Sequence, residues 1–157
     1  MIVLKKVLLA TDFSECAKTA EEYAAAFADQ FQAELHVLHV VVDTNWMATD
    51  FGAALALTPD HFEEMQKSAK RAIDKIVVES VKRGGPGIGV VRLGDPPLEV
   101  VKYASEYGID LLIVGTHGRG GVMHLLLGSC AEKVVRTAQC PVLTVRPAGH
   151  QFVANSQ

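Results

Sequence analysis

The stretch that decides the fold is residues 110–121, Asp110-Leu111-Leu112-Ile113-Val114-Gly115-Thr116-His117-Gly118-Arg119-Gly120-Gly121. Asp110 to Val114 is an apolar run without alternation, the pattern of a strand covered on both faces and set inside a parallel sheet. Upstream, Asp95-Pro96-Pro97 opens a helix through Leu98, Val101 and Ala104 that stops near Gly108. Downstream, Leu127, Cys130, Val134 and Ala138 mark another helix, and Pro141 to Val145 is a short last strand. The same alternation fills the first half of the chain. Val3 to Ala10 is a strand interrupted only by Lys5 and Lys6, and Ala17, Ala20, Ala24, Phe27, Ala28 and Phe31 form one helical stripe. Glu34 to Val42 is the second strand. A helix capped by Thr58 and opened by Pro59 carries Phe62, Met65, Ala69, Ala72, Ile76 and Ser80. Ile88 to Leu93 is the third strand, and Gly84 to Gly89 reads as the turn before it. About five strands alternating with four helices imply an α/β fold, an open parallel sheet with helices on both faces. The connection from Asp43 to Leu57, with Trp46, reads as an exposed insertion or as a flap beside a ligand site.

Composition bounds the function. The 157 residues make one domain, read as 1–147 with a frayed tail at 148–157. Fifteen Lys and Arg against 18 Asp and Glu leave a net charge of −3, so no basic surface attracts nucleic acid and any phosphate site must be local. Aromatics at 6% are too few for base-stacking platforms. Three cysteines form no disulfide framework and suit a reducing cytoplasm. No apolar run approaches the roughly 20 residues of a membrane span, and no signal peptide is evident. Metal binding is not expected, because His36 and His39 point to opposite faces of a strand and Cys16, Cys130 and Cys140 lack a C-x-x-C pairing.

Open parallel sheets bind ligands beyond the carboxyl ends of their strands. Of the segments placed there, Gly115 to Gly121 is unusual. Its glycines either turn the chain tightly or let backbone amides approach an anion. The segment leads to Gly128-Ser129 at a helix start, where unpaired amides and the helix dipole favour phosphate. Arg119 either adds a charge or is merely solvated. Two phosphate motifs are absent: no Gly-Lys pair exists for a Walker loop, and Met123 stands where the third glycine of G-x-G-x-x-G would fall. Ser129 with Glu132 also fits a capping box. Asp12 either starts a helix or accepts hydrogen bonds from ribose hydroxyls. Cys130, near a helix N-terminus, is either inert packing or a thiol of lowered pKa.

Gly115-x-x-Gly118, nine residues, then Gly128-Ser129 resembles the G-2x-G-9x-G-(S/T) signature of the ATP-binding branch of the universal stress protein family. The opening "VLLATDFSECA", the second strand "LHVLHVV", the segment "RLGDPPLEVVKYASEYGIDLLIVGTHG" and the close "GSCAEKVVRTAQCPVLTVRP" extend the likeness from Val3 to Arg146. The resemblance implies a Rossmann-like sheet, of the adenine nucleotide alpha hydrolase type, with strand order 3-2-1-4-5. It implies ATP as ligand, with Mg2+ accompanying the phosphates. Asp12 would hold the ribose and the backbone of Val40 would recognise adenine. Gly115, Gly118, Gly128, Ser129 and the amide of Cys130 would cradle the phosphates, with Thr11 and Val114 lining the pocket. A homodimer through the last strand, Val142 to Val145, is implied as well, where an apolar edge would otherwise be exposed.

These expectations describe a cytoplasmic regulatory module in stress response, whose nucleotide state alters contacts with an unidentified protein partner. Two alternatives stand beside it: a slow ATP hydrolase and a nucleotide-free interaction protein. His117, His124 and Arg119 are candidates for hydrolysis by proximity alone, and no spacing joins them into a catalytic group. The enzyme reading is therefore the weaker one.

Overall fold

The computed structural model describes residues 1–42, 59–82, 85–116 and 128–146. Within them the order is β1 (Lys6–Ala10), α1 (Glu15–Phe31), β2 (Glu34–Val42), α2 (Pro59–Val81), β3 (Gly87–Gly94), α3 (Pro96–Tyr107), β4 (Leu111–Gly115), α4 (Ser129–Thr137) and β5 (Val142–Val145). The connection at 43–57, the expected cap Thr58 and the tail at 148–157 lie outside the described residues. The strands form one sheet in the order β3-β2-β1-β4-β5, every pair parallel.

Alternation in the interior strands divides the core in two. Val7 and Leu9, Leu35 and Val37, and Leu111 and Ile113 face one side, where Ala20, Ala24 and Ala28 of α1 and Ile73 of α2 cover them. Leu8, Leu38, Val40, Leu112 and Val114 face the other, under Val100, Tyr103 and Ala104 of α3 and Ala131 and Val134 of α4. Burying both faces removes most of the apolar surface from water, which is the main driving force for this architecture.

Element ends follow local chemistry. Ser14 caps α1 by accepting the Ala17 amide at 3.2 Å. β1 starts at Lys6, later than the apolar pattern predicts, because its neighbours begin opposite Lys6 and Val7. The amides of Lys5 and Lys6 donate instead to Asp110 Oδ2, at 2.7 and 2.9 Å. Helix α3 ends at Gly108, whose φ of 61° returns its amide toward Ala104 and Ser105.

Three local expectations need correction. The glycines before the third strand are not all turn: Gly87 and Gly89 lie in β3, paired with Leu35 and Val37. A Cβ on Gly89 would stand 2.3 Å from Ile73 Cγ2, so the missing side chain is the socket that lets α2 seat on the sheet. The α2 stripe is accordingly anchored by Ile73, fully buried, while Met65 is 43% exposed. On α3 the buried line is Pro97, Val100, Tyr103 and Ala104, and Leu98 is 67% exposed. That helix is turned by polar partners of Tyr103. Its hydroxyl lies 2.7 Å from His36 Nδ1, and Arg92, paired with Glu99 and Glu106, sits 4.8 Å over its ring.

Candidate nucleotide site

The strand order reverses between β1 and β4: the chain leaves β1 for α1 on one face and reaches α4 from β4 on the other. This switch point opens a crevice beyond the carboxyl ends of the two strands. Ala10 is in register with both Leu38 and Val114, so the segments after β1, β2 and β4 share one rim.

Thr11 leaves β1 buried, its amide donating to Leu38 O at 3.0 Å. Its hydroxyl accepts the Phe13 amide at 3.1 Å and lies 3.4 Å from Glu21 Oε1. Burial pushes the Glu21 carboxyl upward, opposed by that hydroxyl contact. Asp12 does not cap α1, since Ser14 does; Asp12 Oδ1 accepts the Ser14 amide at 3.0 Å. The half-buried carboxylate is thus held at the rim by a backbone donor. Val40 stands beyond the end of β1, its side chain buried among the residues under α3 and α4. Its side chain is therefore taken up by packing.

Gly115 closes β4, and its lack of a side chain has a packing cause. A Cβ there would come 3.0 Å from Cys16 Sγ and 3.4 Å from the Cys16 backbone. The next residue, Thr116, donates its amide to Val145 O at 2.9 Å and accepts the Gly128 amide at 2.5 Å. Thr116 and Gly128 are thus joined directly, while Gly118, with His117, Arg119 and His124, lies outside the described residues. The backbone of Gly128 is extended and Ser129 is the first helical residue. The capping box is not formed: Gly128, which has no side chain to cap with, is the N-cap, and Glu132 pairs with Arg136 at 3.0 Å. Val114, Gly115, Gly128, Ser129 and Cys130 thus join Thr11 and Asp12 around the crevice. A helix start with glycine at its N-cap, whose first amides lack intrahelical acceptors, fits an anionic group.

Cys130 packs its side chain against the core under α4. Its thiol is pushed up to about 11, first by burial and then by the negative charges of Asp95 and Asp12. This direction is opposite to the lowered pKa offered as the alternative, and its main cause is burial. The same effect places Asp95, at the start of α3, near this rim. Asp95 makes no side-chain capping bond, and sequence reasoning missed it by reading it only as a helix opener. Its signal was an acidic residue directly after a strand. Among the described residues no cluster of His, Cys, Asp or Glu is arranged to hold a metal ion.

Comparison with known proteins gives consistent matches. The model of the universal stress protein family matches residues 4–146. Universal stress protein MJ0577 of Methanocaldococcus jannaschii is 31% identical over 156 residues, covering 92% of this chain and 96% of its own. The solved structure of MJ0577 superposes with a TM-score of 0.82 at 30% identity, covering 95% of this chain and all of that one. Universal stress protein YxiE of Bacillus subtilis is 30% identical over 153 residues, covering 92% and 100% of the two chains. A universal stress protein from Archaeoglobus fulgidus, solved in complex with dAMP, shares the fold with a TM-score of 0.62 at 23% identity, covering 92% and 99%.

Proposed function

The chain belongs to the universal stress protein family, and on that premise we propose that it is an ATP-binding regulatory module acting through a dimer. The observation that carries this reading is the start of α4, where glycine is the N-cap and Cys130 lies near Asp12. The dAMP complex of a chain with the same fold supports an adenine nucleotide as the ligand class. In this reading the Asp12 carboxylate accepts from ribose hydroxyls and the Val40 backbone meets the adenine edge. The amides of Ser129 and Cys130, with Gly115, Gly118 and Gly128, surround the phosphates, and Thr11 and Val114 complete the wall. Asp12 and Asp95 bring negative charge near the phosphates, and Mg2+ carried on the phosphates would offset it.

The dimer reading rests on β5. Among the described residues it is an edge strand paired with β4, its residues Val142, Leu143 and Thr144 half-buried. Pairing with a second copy would complete its open edge. A cytoplasmic setting accords with Cys16, Cys130 and Cys140 all being free thiols. No described helix is long and apolar enough to cross a membrane.

Isothermal calorimetry with ATP and Mg2+ tests the reading. Saturable binding near one nucleotide per chain is expected, with a turnover far below one per second. Absence of binding would leave the nucleotide-free alternative, and turnover of several per second would make the protein an enzyme.

A further inference from the structure

The turn that carries Asp12 contains a backbone conformation its sequence does not favour. Phe13 has a φ of 62°, in the left-handed region that a side chain with a Cβ seldom adopts. The other non-glycine residue of this kind among the described residues, Gln32, ends α1, where a left-handed cap is common. Phe13 has no such role, since it precedes the N-cap Ser14.

Four contacts hold the turn. The Thr11 hydroxyl accepts the Phe13 amide at 3.1 Å, and Asp12 Oδ1 accepts the Ser14 amide at 3.0 Å. The Phe13 ring stacks on His39, with centroids 4.5 Å apart and planes 30° from parallel. His39 Nδ1 lies 2.8 Å from Thr11 O. A carbonyl only accepts, so Nδ1 carries the hydrogen and the ring orientation is fixed from both sides. His39 is also the neighbour of Val40 on β2. The stack therefore joins the segment after β1 to the segment at the end of β2 through side chains, where the strand ladder has already stopped.

We propose that Phe13 and His39 are a positioning pair that sets the Asp12 carboxylate for the hydroxyls of a ribonucleotide and holds it in register with the Val40 backbone. The proposal rests on the nucleotide reading above and deepens it, by making ribose selectivity a property of an aromatic stack that need not touch the sugar. A carboxylate discriminates between ribose and deoxyribose only if its position is fixed. Without the stack the left-handed turn relaxes, and hydroxyl recognition is lost while base and phosphate contacts remain.

The test is equilibrium titration of the full chain with ATP and with 2′-deoxy-ATP, both with Mg2+. The wild-type chain should prefer ATP by about tenfold, the size of one charged hydrogen bond. Phe13→Ala, Phe13→Asn and His39→Leu should bring the preference to about twofold or less, with deoxy-ATP affinity changed less than about threefold. Phe13→Asn matters because asparagine tolerates the left-handed backbone, which separates the ring from the strain. Phe13→Tyr should restore the preference. Equal weakening of both nucleotides, or an unchanged preference in the Ala and Asn variants, would overturn the proposal while leaving nucleotide binding intact. Asp12→Ala is the control on the underlying reading. If it leaves the wild-type preference in place, or if the wild type has none, Asp12 does not read the sugar and the proposal falls with that assignment.

Discussion

Replacing Gly89 with alanine should destabilise the fold through one identifiable contact. The added methyl would lie 2.3 Å from Ile73 Cγ2 and 3.3 Å from Val77 Cγ2. Carbon atoms normally rest about 3.5–4.0 Å apart, so the first contact is more than an ångström too close. Ile73 is fully buried and Cγ2 branches directly from its Cβ, so relief requires Ile73 or α2 to shift away from β3. Overpacking of this kind costs about 1–3 kcal/mol. The lower backbone entropy of unfolded alanine returns about 0.4–1 kcal/mol, leaving a net loss of roughly 1–2 kcal/mol. With a urea slope of about 1–3 kcal/mol/M, the midpoint should fall by roughly 0.3–2 M, read by far-ultraviolet circular dichroism. Ile73→Ala alone should lose about 2–5 kcal/mol, and in that background Gly89→Ala should be nearly neutral because the new methyl enters the space vacated. A wild-type midpoint for Gly89→Ala, or the same penalty in both backgrounds, would refute the packing argument.

Two further outcomes follow from titrating groups. Burial pushes the His36 imidazole below the ordinary histidine range, with the Glu34 carboxylate 2.7 Å from Nε2 opposing it. The unfolded chain, with a histidine pKa of about 6.5, then binds more protons than the native state just below that pH. Stability should be full above about 6.5 and decline as the pH falls toward the folded pKa. The urea midpoint of the wild type should show this slope between about pH 7 and 5.5 and His36→Leu should lack it; parallel slopes would contradict the assignment. For Cys130, with its thiol pushed up to about 11, alkylation at pH 8 should run a few hundredfold slower than in the urea-unfolded chain. Reaction at the rate of a free thiol would show that Cys130 is not desolvated.

Legibility in the sequence varied with the physics that set each feature. The sheet was readable because burial on both faces leaves a plain apolar run at Leu111 to Val114, and Leu35 to Val41 is apolar apart from His36 and His39. Edge strand β3 was blurred, since Gly87 and Gly89 answer to the approach of α2, a contact far away in sequence. The buried face of α3 was displaced because Tyr103 is held by His36 and Arg92, and hydropathy does not register polar partners. At the site, Asp12, Gly128 and Ser129 were found by motif and position, yet their local roles differ from the simplest sequence reading. Ser14 and Gly128 are the caps, and Asp12 and Ser129 stand beside them. Gly115 serves helix packing at Cys16 whatever it does for phosphate. Phe13 carried no signal, because its left-handed backbone runs against its own propensity and occurs beside partners distant in sequence, such as His39.

The central claim is that an adenine nucleotide occupies the crevice between β1 and β4 against the start of α4. Backbone amide chemical-shift mapping during titration with ATP and Mg2+ tests it most directly. With the nucleotide bound there, the amides of Asp12, Val40, Gly115, Thr116, Ser129 and Cys130 should shift together in a saturable manner. Those of Gly108 and Ile109, at the opposite end of the sheet where α3 ends and β4 begins, should stay in place. Shifts centred on that opposite end, or none at the start of α4, would contradict it.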